Sequence, residues 1–277
     1  MKIGYMQGRL SPIVDGKIQA FPKDYWQSEF PIAEKLGIDA MEWTLDQEEL
    51  YKNPIMNEPG QREIQSLCRK YNVRIPSLTG DCFMQAPYWK CDGERRRSLQ
   101  DDLKNVIQSC SDLGIEIIVV PLVDAGSIES AEQEEVLLNY LVEITPFLKA
   151  RNVKIAFESD LKPQSLKEFI AKLPRESFGI NYDSGNSAAL GYNPKEEFSF
   201  YGDRVLNVHI KDRLLGGNTV SLGEGNADFE SVFEGLVTVD YKANLILQTA
   251  RANDGNHEKV LEKYIKMVRV WIEKYEF

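Results

Sequence analysis

Four cysteines are all the chain holds, and Cys68, Cys82, Cys91 and Cys110 show no paired metal-ligand spacing, which excludes a zinc-ribbon or disulfide-framework fold. Cys68 and Cys110 fall on apolar helix faces and read as small core residues. Cys82 and Cys91 share one loop and are expected as reduced thiols, a bridge between them being the alternative. No run of about 18 apolar residues occurs, so no membrane span is expected. The start, MKIGYMQGRL, reaches Gln7 and Arg9 too soon to hold a signal-peptide core, and a cytoplasmic protein is expected. Positive charge is also short: 33 Lys and Arg face 43 Asp and Glu, a net charge of −10. A nucleic-acid backbone is therefore not the expected partner, although a local basic pocket for a small anion is still allowed. No linker or low-complexity stretch divides the 277 residues, so one domain over 1–277 is expected.

What is present is an alternation. Apolar, β-rich runs lie at Ile3–Met6, Ala40–Trp43, Val73–Leu78, Ile115–Pro121, Val153–Glu158, Phe178–Asp183, Val205–Ile210 and Asn244–Gln248. Most are continuous rather than alternating, as in strands buried on both faces of a parallel sheet. Between them the apolar spacing turns helical: Ile64, Leu67, Cys68 and Tyr71, then Leu103, Val106, Ile107 and Cys110, then Phe229, Val232, Phe233 and Leu236. Ser130 with Gln133, Asn193 before Pro194, and Asp228 read as helix N-caps. A short, irregular helix is expected near Pro194–Tyr201, and a final one from about Glu258. EKLGIDAMEW and SDLGIEIIVV repeat one layout, in which Gly37 and Gly114 suit the left-handed position after a helix. Helix-to-strand turns are thus tight, and the long connections (44–60, 79–93, 211–227) all follow strands. Eight such βα units predict a (β/α)₈ TIM barrel whose site is built by the loops after the strands. A doubly wound sheet would carry G-x-G-x-x-G after its first strand, and YMQGRLSP does not.

Barrel closure brings the ends of strands five to eight side by side. There stand Glu158, Asp183, His209 and Gln248. Two carboxylates, an imidazole and an amide oxygen suit a divalent metal, Mn²⁺, Mg²⁺, Zn²⁺ or Co²⁺, with positions left open for substrate. Singly, each such residue is more often a cap, an ion-pair partner or a satisfied core group. Three at one level on neighbouring strands would repel or stay unsatisfied unless a cation joined them. A metal there polarises a carbonyl, and a neighbouring carboxylate removes the proton next to it.

FESD, NYDSGN, VHIKDR and LGEGNADF resemble the motifs of the xylose-isomerase-like barrels, also called the AP-endonuclease-2-like superfamily, and within it those of L-ribulose and hexulose phosphate isomerases and epimerases. The resemblance runs through all eight strands. It implies a metal held by Glu158, Asp183, His209 and the strand-eight residue, and a sugar or sugar phosphate deprotonated next to its carbonyl. The departure is Gln248, where the family has a glutamate that pairs with the strand-five glutamate as acid and base. An amide takes no proton. A one-base isomerisation through Glu158 is one outcome; epimerisation with a substitute base, Glu42, Asp81 or Asp160, is another; a sugar-binding barrel without turnover is the alternative. The superfamily's apurinic endonucleases carry a trinuclear zinc site rich in histidine, and two histidines do not build one.

Other loop residues invite roles. Lys211, Asn186, Arg9, Glu42 and Arg213 are candidate substrate contacts, the cations among them for a phosphate near strands seven and eight; solvated surface charge is the competing reading. Arg251 follows strand eight. Trp43, Phe83, Tyr88 and Trp89 would shield a sugar face or else pack the loops, and exposed loop aromatics would allow a homo-oligomer. The GEG turn is a weak phosphate cradle. His257 is expected at the surface.

Overall fold

Runs of Val, Ile, Leu and Phe too continuous to leave a polar face must be covered on both sides, and a closed parallel ring covered by helices does this. The computed structural model describes residues 2–276. Seven strands, β1 (Lys2–Met6), β2 (Ala40–Thr44), β3 (Arg74–Thr79), β4 (Ile117–Leu122), β5 (Lys154–Ser159), β6 (Phe178–Asp183) and β7 (Val205–Ile210), precede a two-strand ribbon, β8 (Asp212–Arg213) with β9 (Thr219–Val220). The eighth barrel strand is β10 (Asn244–Leu247). Ring order is β1-β10-β7-β6-β5-β4-β3-β2, every pair parallel, closed by Lys2 beside Asn244 and Tyr5 beside Leu247. All eight expected strands are present, and Gln248 lies one residue past the end of β10.

The helices lay their apolar stripes on the outside of the ring. Leu103, Val106, Ile107 and Cys110 of helix Gly93–Leu113 are buried, as are Phe229, Val232, Phe233 and Leu236 of Phe229–Thr238. Gly37 and Gly114 adopt φ of 67° and 71° at the helix ends, where a side chain would be strained. Ser130, Asn193 and Asp228 accept backbone N–H bonds at their helix starts, and Pro194–Tyr201 is a regular eight-residue helix. The final helix runs His257–Lys274 and is capped by Asn256. Inside the ring Gly4 is required: a Cβ there would meet Ile246 Cδ1 at 2.7 Å and the Ala40 carbonyl at 3.0 Å. All four cysteines are free thiols. Among the described residues no helix is long and apolar enough to cross a membrane.

Two connections shape the mouth. The segment after β1 folds back over it, because the Glu29 carboxylate accepts the amides of Gly8 (3.0 Å) and Leu10 (2.8 Å). Arg9 fastens the same segment by donating to the carbonyls of Thr249 (2.8 Å) and Ile18 (3.2 Å). After β7, the ribbon is clamped by Asp212, whose carboxylate accepts the amides of Gly223, Gly225 and Ala227 at 2.9–3.0 Å.

Candidate active site

Alternation along a strand sends every second side chain into the ring. In β7 this sets Asn207 and His209 inward and leaves Val208 and Ile210 for the helices. In β6 it sets Asn181 and Asp183 inward, and register places Asp183 beside His209. Glu158 of β5 is the next inward acid. Their ligand atoms, one each from Glu158, Asp183 and His209, lie within 4.8 Å of one another, all three residues being buried.

The ring of His209 is held from below. Its Nε2 faces Glu42 Oε1 at 2.7 Å, and its Nδ1 faces Asn181 Nδ2 at 3.0 Å, Glu158 Oε2 at 3.1 Å and Asp183 Oδ2 at 3.9 Å. Glu42 in turn accepts from Ser77 Oγ (2.6 Å) and Asn207 Nδ2 (2.8 Å). Asn207 also donates to Asn181 Oδ1 (2.9 Å), and Asn181 donates to Glu158 Oε2 (2.8 Å). Every carboxylate oxygen of Glu42, Glu158 and Asp183 has a donor, which is what keeps so much charge tolerable inside a barrel. A carboxylate accepting at Nε2 selects the tautomer that leaves the Nδ1 lone pair to the cluster, the arrangement that orients a metal-binding imidazole.

Without an ion the balance shifts to the protonated ring. Burial opposes charge on His209, but Glu42 and Glu158 outweigh it and push the imidazole up to about 10. Burial would raise Glu158 too, yet the hydrogen bond and charge of His209, with Lys211, hold it below its ordinary value. Asp183 is raised, burial outweighing Lys211. Without another cation, the cluster keeps a proton on the ring and draws an ammonium: Lys211 Nζ stands 3.3 Å from Asp183 Oδ2 and 3.3 Å from Gln248 Oε1. The donor set therefore fits a divalent ion, taking carboxylate oxygens, Nδ1 and one amide oxygen.

Gln248 sits a layer above His209, level with Lys211, since Ile246 pairs with His209 and Leu247 with Ile210. Its amide is oriented by a chain of donors. Gln248 Nε2 donates to Gln19 Oε1 (2.8 Å), and Gln19 Nε2 donates to Asp81 Oδ2 (2.6 Å). Asp81 Oδ2 accepts from the Gln19 amide, which fixes Gln19 and through it Gln248, with its oxygen toward the cluster. Burial pushes Asp81 up to about 7, with the Gln19 hydrogen bond opposing and the charges of Asp46 and Glu158 adding to the rise.

Above the cluster opens a cavity of about 470 Å³. Glu158, Asn186, Lys211, Arg213 and Gln248 reach its wall, with Asp81 and Asp160. Asn186 donates to Glu158 Oε1 and accepts from Arg213 Nη1 (2.7 Å). Two expected substrate contacts are elsewhere. Glu42 is fully buried beneath the cluster, and the buried Arg9 is engaged with backbone carbonyls; neither is on the wall. The loop aromatics are not there either: Trp43, Phe83, Tyr88 and Trp89 are core residues, Trp43 bonded to Asn53 and Tyr88 to the Leu137 carbonyl. His257 is half-buried, its Nδ1 accepting the Ala252 amide. The amides of the GEG turn are taken by Asp212. Sequence reading missed Asn181, Asn207 and Gln19. The first two had a signal, each standing two residues before Asp183 or His209 on the same strand face; Gln19, in an irregular segment, had none.

A family model described as xylose isomerase-like TIM barrel matches residues 30–271. Among curated proteins, L-ribulose-5-phosphate 3-epimerase UlaE of Escherichia coli (strain SMS-3-5) is 25% identical, the match covering 78% of this chain and 79% of that one. Among solved structures, the IolI protein with a zinc atom superimposes with a TM-score of 0.78 at 18% identity, covering 99% of both chains. D-allulose 3-epimerase from Methylomonas sp., in complex with D-allulose, gives 0.76 at 15%, covering 97% of this chain and 96% of that one. At such identities the superpositions establish the fold.

Proposed function

The chain belongs to the xylose isomerase-like TIM barrel family, and from that premise we propose that it is a metal-dependent sugar isomerase or epimerase that moves a proton next to a carbonyl. The observation that carries this reading is the orientation of His209: Glu42 holds Nε2, so Nδ1 turns to Glu158 and Asp183. Glu158, Asp183, His209 and Gln248 would hold Mn²⁺, Mg²⁺, Zn²⁺ or Co²⁺. A divalent ion held there would supply Lewis-acid polarisation of a substrate carbonyl.

The remaining work belongs to side chains. Glu158 is the base that takes the proton, and the charge of Lys211 favours its ionised form. Asn186 and Asn181 each donate to one of its oxygens and fix the plane of the carboxylate. The Lys211 ammonium, over the cluster, pairs with oxygen charge as it develops. Gln248 cannot take a proton, so a two-base epimerisation needs another group. Asp81 is the wall carboxyl whose raised affinity for a proton suits that task. The UlaE relative is named for a phosphorylated sugar and the Methylomonas enzyme was solved with a free one, so both classes fall within this reading.

Elemental analysis of protein purified without chelator, followed by deuterium wash-in from solvent into a panel of ketoses and ketose phosphates, tests the proposal. Label should enter carbon next to the carbonyl, and Glu158→Gln should cut the rate by roughly 10²–10⁴. A metal-free protein that Mn²⁺, Co²⁺, Zn²⁺ and Mg²⁺ all leave unable to exchange label is not an isomerase of this kind. Sugar binding without wash-in would mark a barrel that binds and does not turn over.

A further inference from the structure

We propose that the cavity takes an uncharged sugar, a free ketose or aldose, and discriminates against its phosphate; this rests on the sugar-isomerase reading and narrows it. A phosphate on the last carbon of a sugar needs cations or free amides at the end of the cavity away from the reacting carbonyl. Neither is offered. Of the side chains that reach the wall, the cationic ones among the described residues are Lys211 and Arg213. Lys211 stands over the cluster of Glu158, Asp183 and His209, 3.3 Å from Asp183 and from Gln248. That is the reacting end, where it meets a carbonyl or enediolate oxygen and not a group several carbons away. Arg213 is turned along the ribbon: Nε and Nη2 donate to the Gly217 carbonyl at 3.1 and 2.9 Å, and Nη1 donates to Asn186. Those bonds hold β8 to its turn and hold the amide that orients Glu158.

The backbone offers no substitute. The glycine-rich turn after β7 points three amides, Gly223, Gly225 and Ala227, at one spot, the geometry of an anion nest. That nest is filled from within by Asp212, which is 1% exposed. The packing is close enough that a Cβ on Gly225 would lie 2.1 Å from Asp212 Oδ1, so an incoming anion has no room beside it. Three further turn amides are engaged: Glu224 N donates to the Ser221 carbonyl, Asn226 N to the Arg213 carbonyl, and Gly216 N to the Ala189 carbonyl.

Charge on the rest of the wall has the opposite sign. Asp81, Asp124 and Asp160 line it in addition to Glu158. Asp160 accepts from the Ser127 hydroxyl, so its carboxyl is an acceptor at the wall. A ring of carboxylates and amides is the lining that hydroxyl groups satisfy, each hydroxyl donating to one carboxylate and accepting from one amide. A dianion placed among them would be repelled and would lose its hydration without a donor in return.

The test uses protein with its resident metal and matched pairs, each a free ketopentose or ketohexose and its terminal phosphate. Deuterium wash-in gives kcat/KM, and calorimetry gives binding without turnover. The free member of a pair should exchange with kcat/KM roughly tenfold or more above its phosphate, and its KM should not change as salt is raised. A phosphate preferred over its free sugar, or a KM that climbs with salt, overturns the inference. Free sugars that bind and exchange no label, with phosphates binding more weakly, would sustain it while removing the isomerase reading. Free and phosphorylated sugars that both fail to bind would overturn the two together.

Discussion

Glu42→Gln separates a support for the metal ligand from a contact with substrate. The carboxylate takes three donors: His209 Nε2 on Oε1, and Ser77 Oγ and Asn207 Nδ2 on Oε2. A carboxamide has one acceptor oxygen and brings two donors. With its NH₂ against His209, the ring must accept at Nε2 and carry its proton on Nδ1, the atom that faces Glu158 and Asp183. With its oxygen against His209, the NH₂ meets Asn207 Nδ2, which cannot turn away without abandoning Asn181. The first arrangement loses the orienting carboxylate of a metal ligand, worth 10–100-fold in affinity, or about 1.4–2.8 kcal/mol. The second leaves a buried donor unpaired at roughly 1–3 kcal/mol of stability. Competition for Co²⁺ or Zn²⁺ against a chromophoric chelator should therefore show metal binding weakened by about 10–100-fold, with a thermal midpoint that chelator lowers less than in the parent protein. Unchanged metal affinity together with a raised KM for sugar would refute the reasoning and return Glu42 to the role of a substrate contact.

Three further changes probe the surroundings. Gln248→Glu should tighten metal binding by roughly tenfold, because a charged oxygen replaces an amide oxygen already turned to the cluster; unchanged affinity would take residue 248 out of the site. Glu29→Gln tests the brace under the mouth: burial, opposed by the Gly8 and Leu10 amides, pushes the Glu29 carboxyl up to about 7. A raised acid binds its proton more tightly folded than unfolded, so its contribution is present below about pH 4.5 and is lost as pH rises to about 7, a fall of roughly 3 kcal/mol. Denaturation midpoints across that window should drop less steeply in the variant, and parallel slopes would reject the brace as their source. Gly225→Ala drives a methyl into Asp212 and the Arg213 carbonyl, 2.1 and 2.7 Å from the ideal Cβ, and should unseat the ribbon. Faster hydrogen exchange at the Gly223 and Ala227 amides is the expected signature, with the barrel amides unaffected.

How much of this was legible follows from where the information resides. Strands stood out because a parallel strand buried on both faces writes its own composition, as in IIVV of β4. The helix ends stood out because Gly37 and Gly114 sit where other residues are strained. Glu158, Asp183 and His209 stood out as hard-to-bury groups at successive strand ends, and ring closure brings their ligand atoms within 4.8 Å of one another. Glu42 stands at a strand end, where a substrate contact is expected, and its inward register sends it to His209 instead. Period two separates those roles: Asn207 and His209, like Asn181 and Asp183, are consecutive inward positions of one strand, so the residue two before a ligand belongs to the layer that supports it. In N-V-H and N-Y-D the asparagine stands one inward position below the candidate ligand, the Asn207 amide donating to Glu42 and the Asn181 amide to Glu158. Gln19 and Glu29 stayed hidden for another reason. Their partners, Gln248 with Asp81 and the amides of Gly8 with Leu10, are joined by a loop whose path no period encodes. The departure at Gln248 is then half of an exchange: an amide there needs an acceptor for its NH₂, and Gln19 is an acceptor because Asp81 holds its other end. A glutamate at 248 would reverse the demand on Gln19 and leave Asp81 without its donor, so the three residues specify one another.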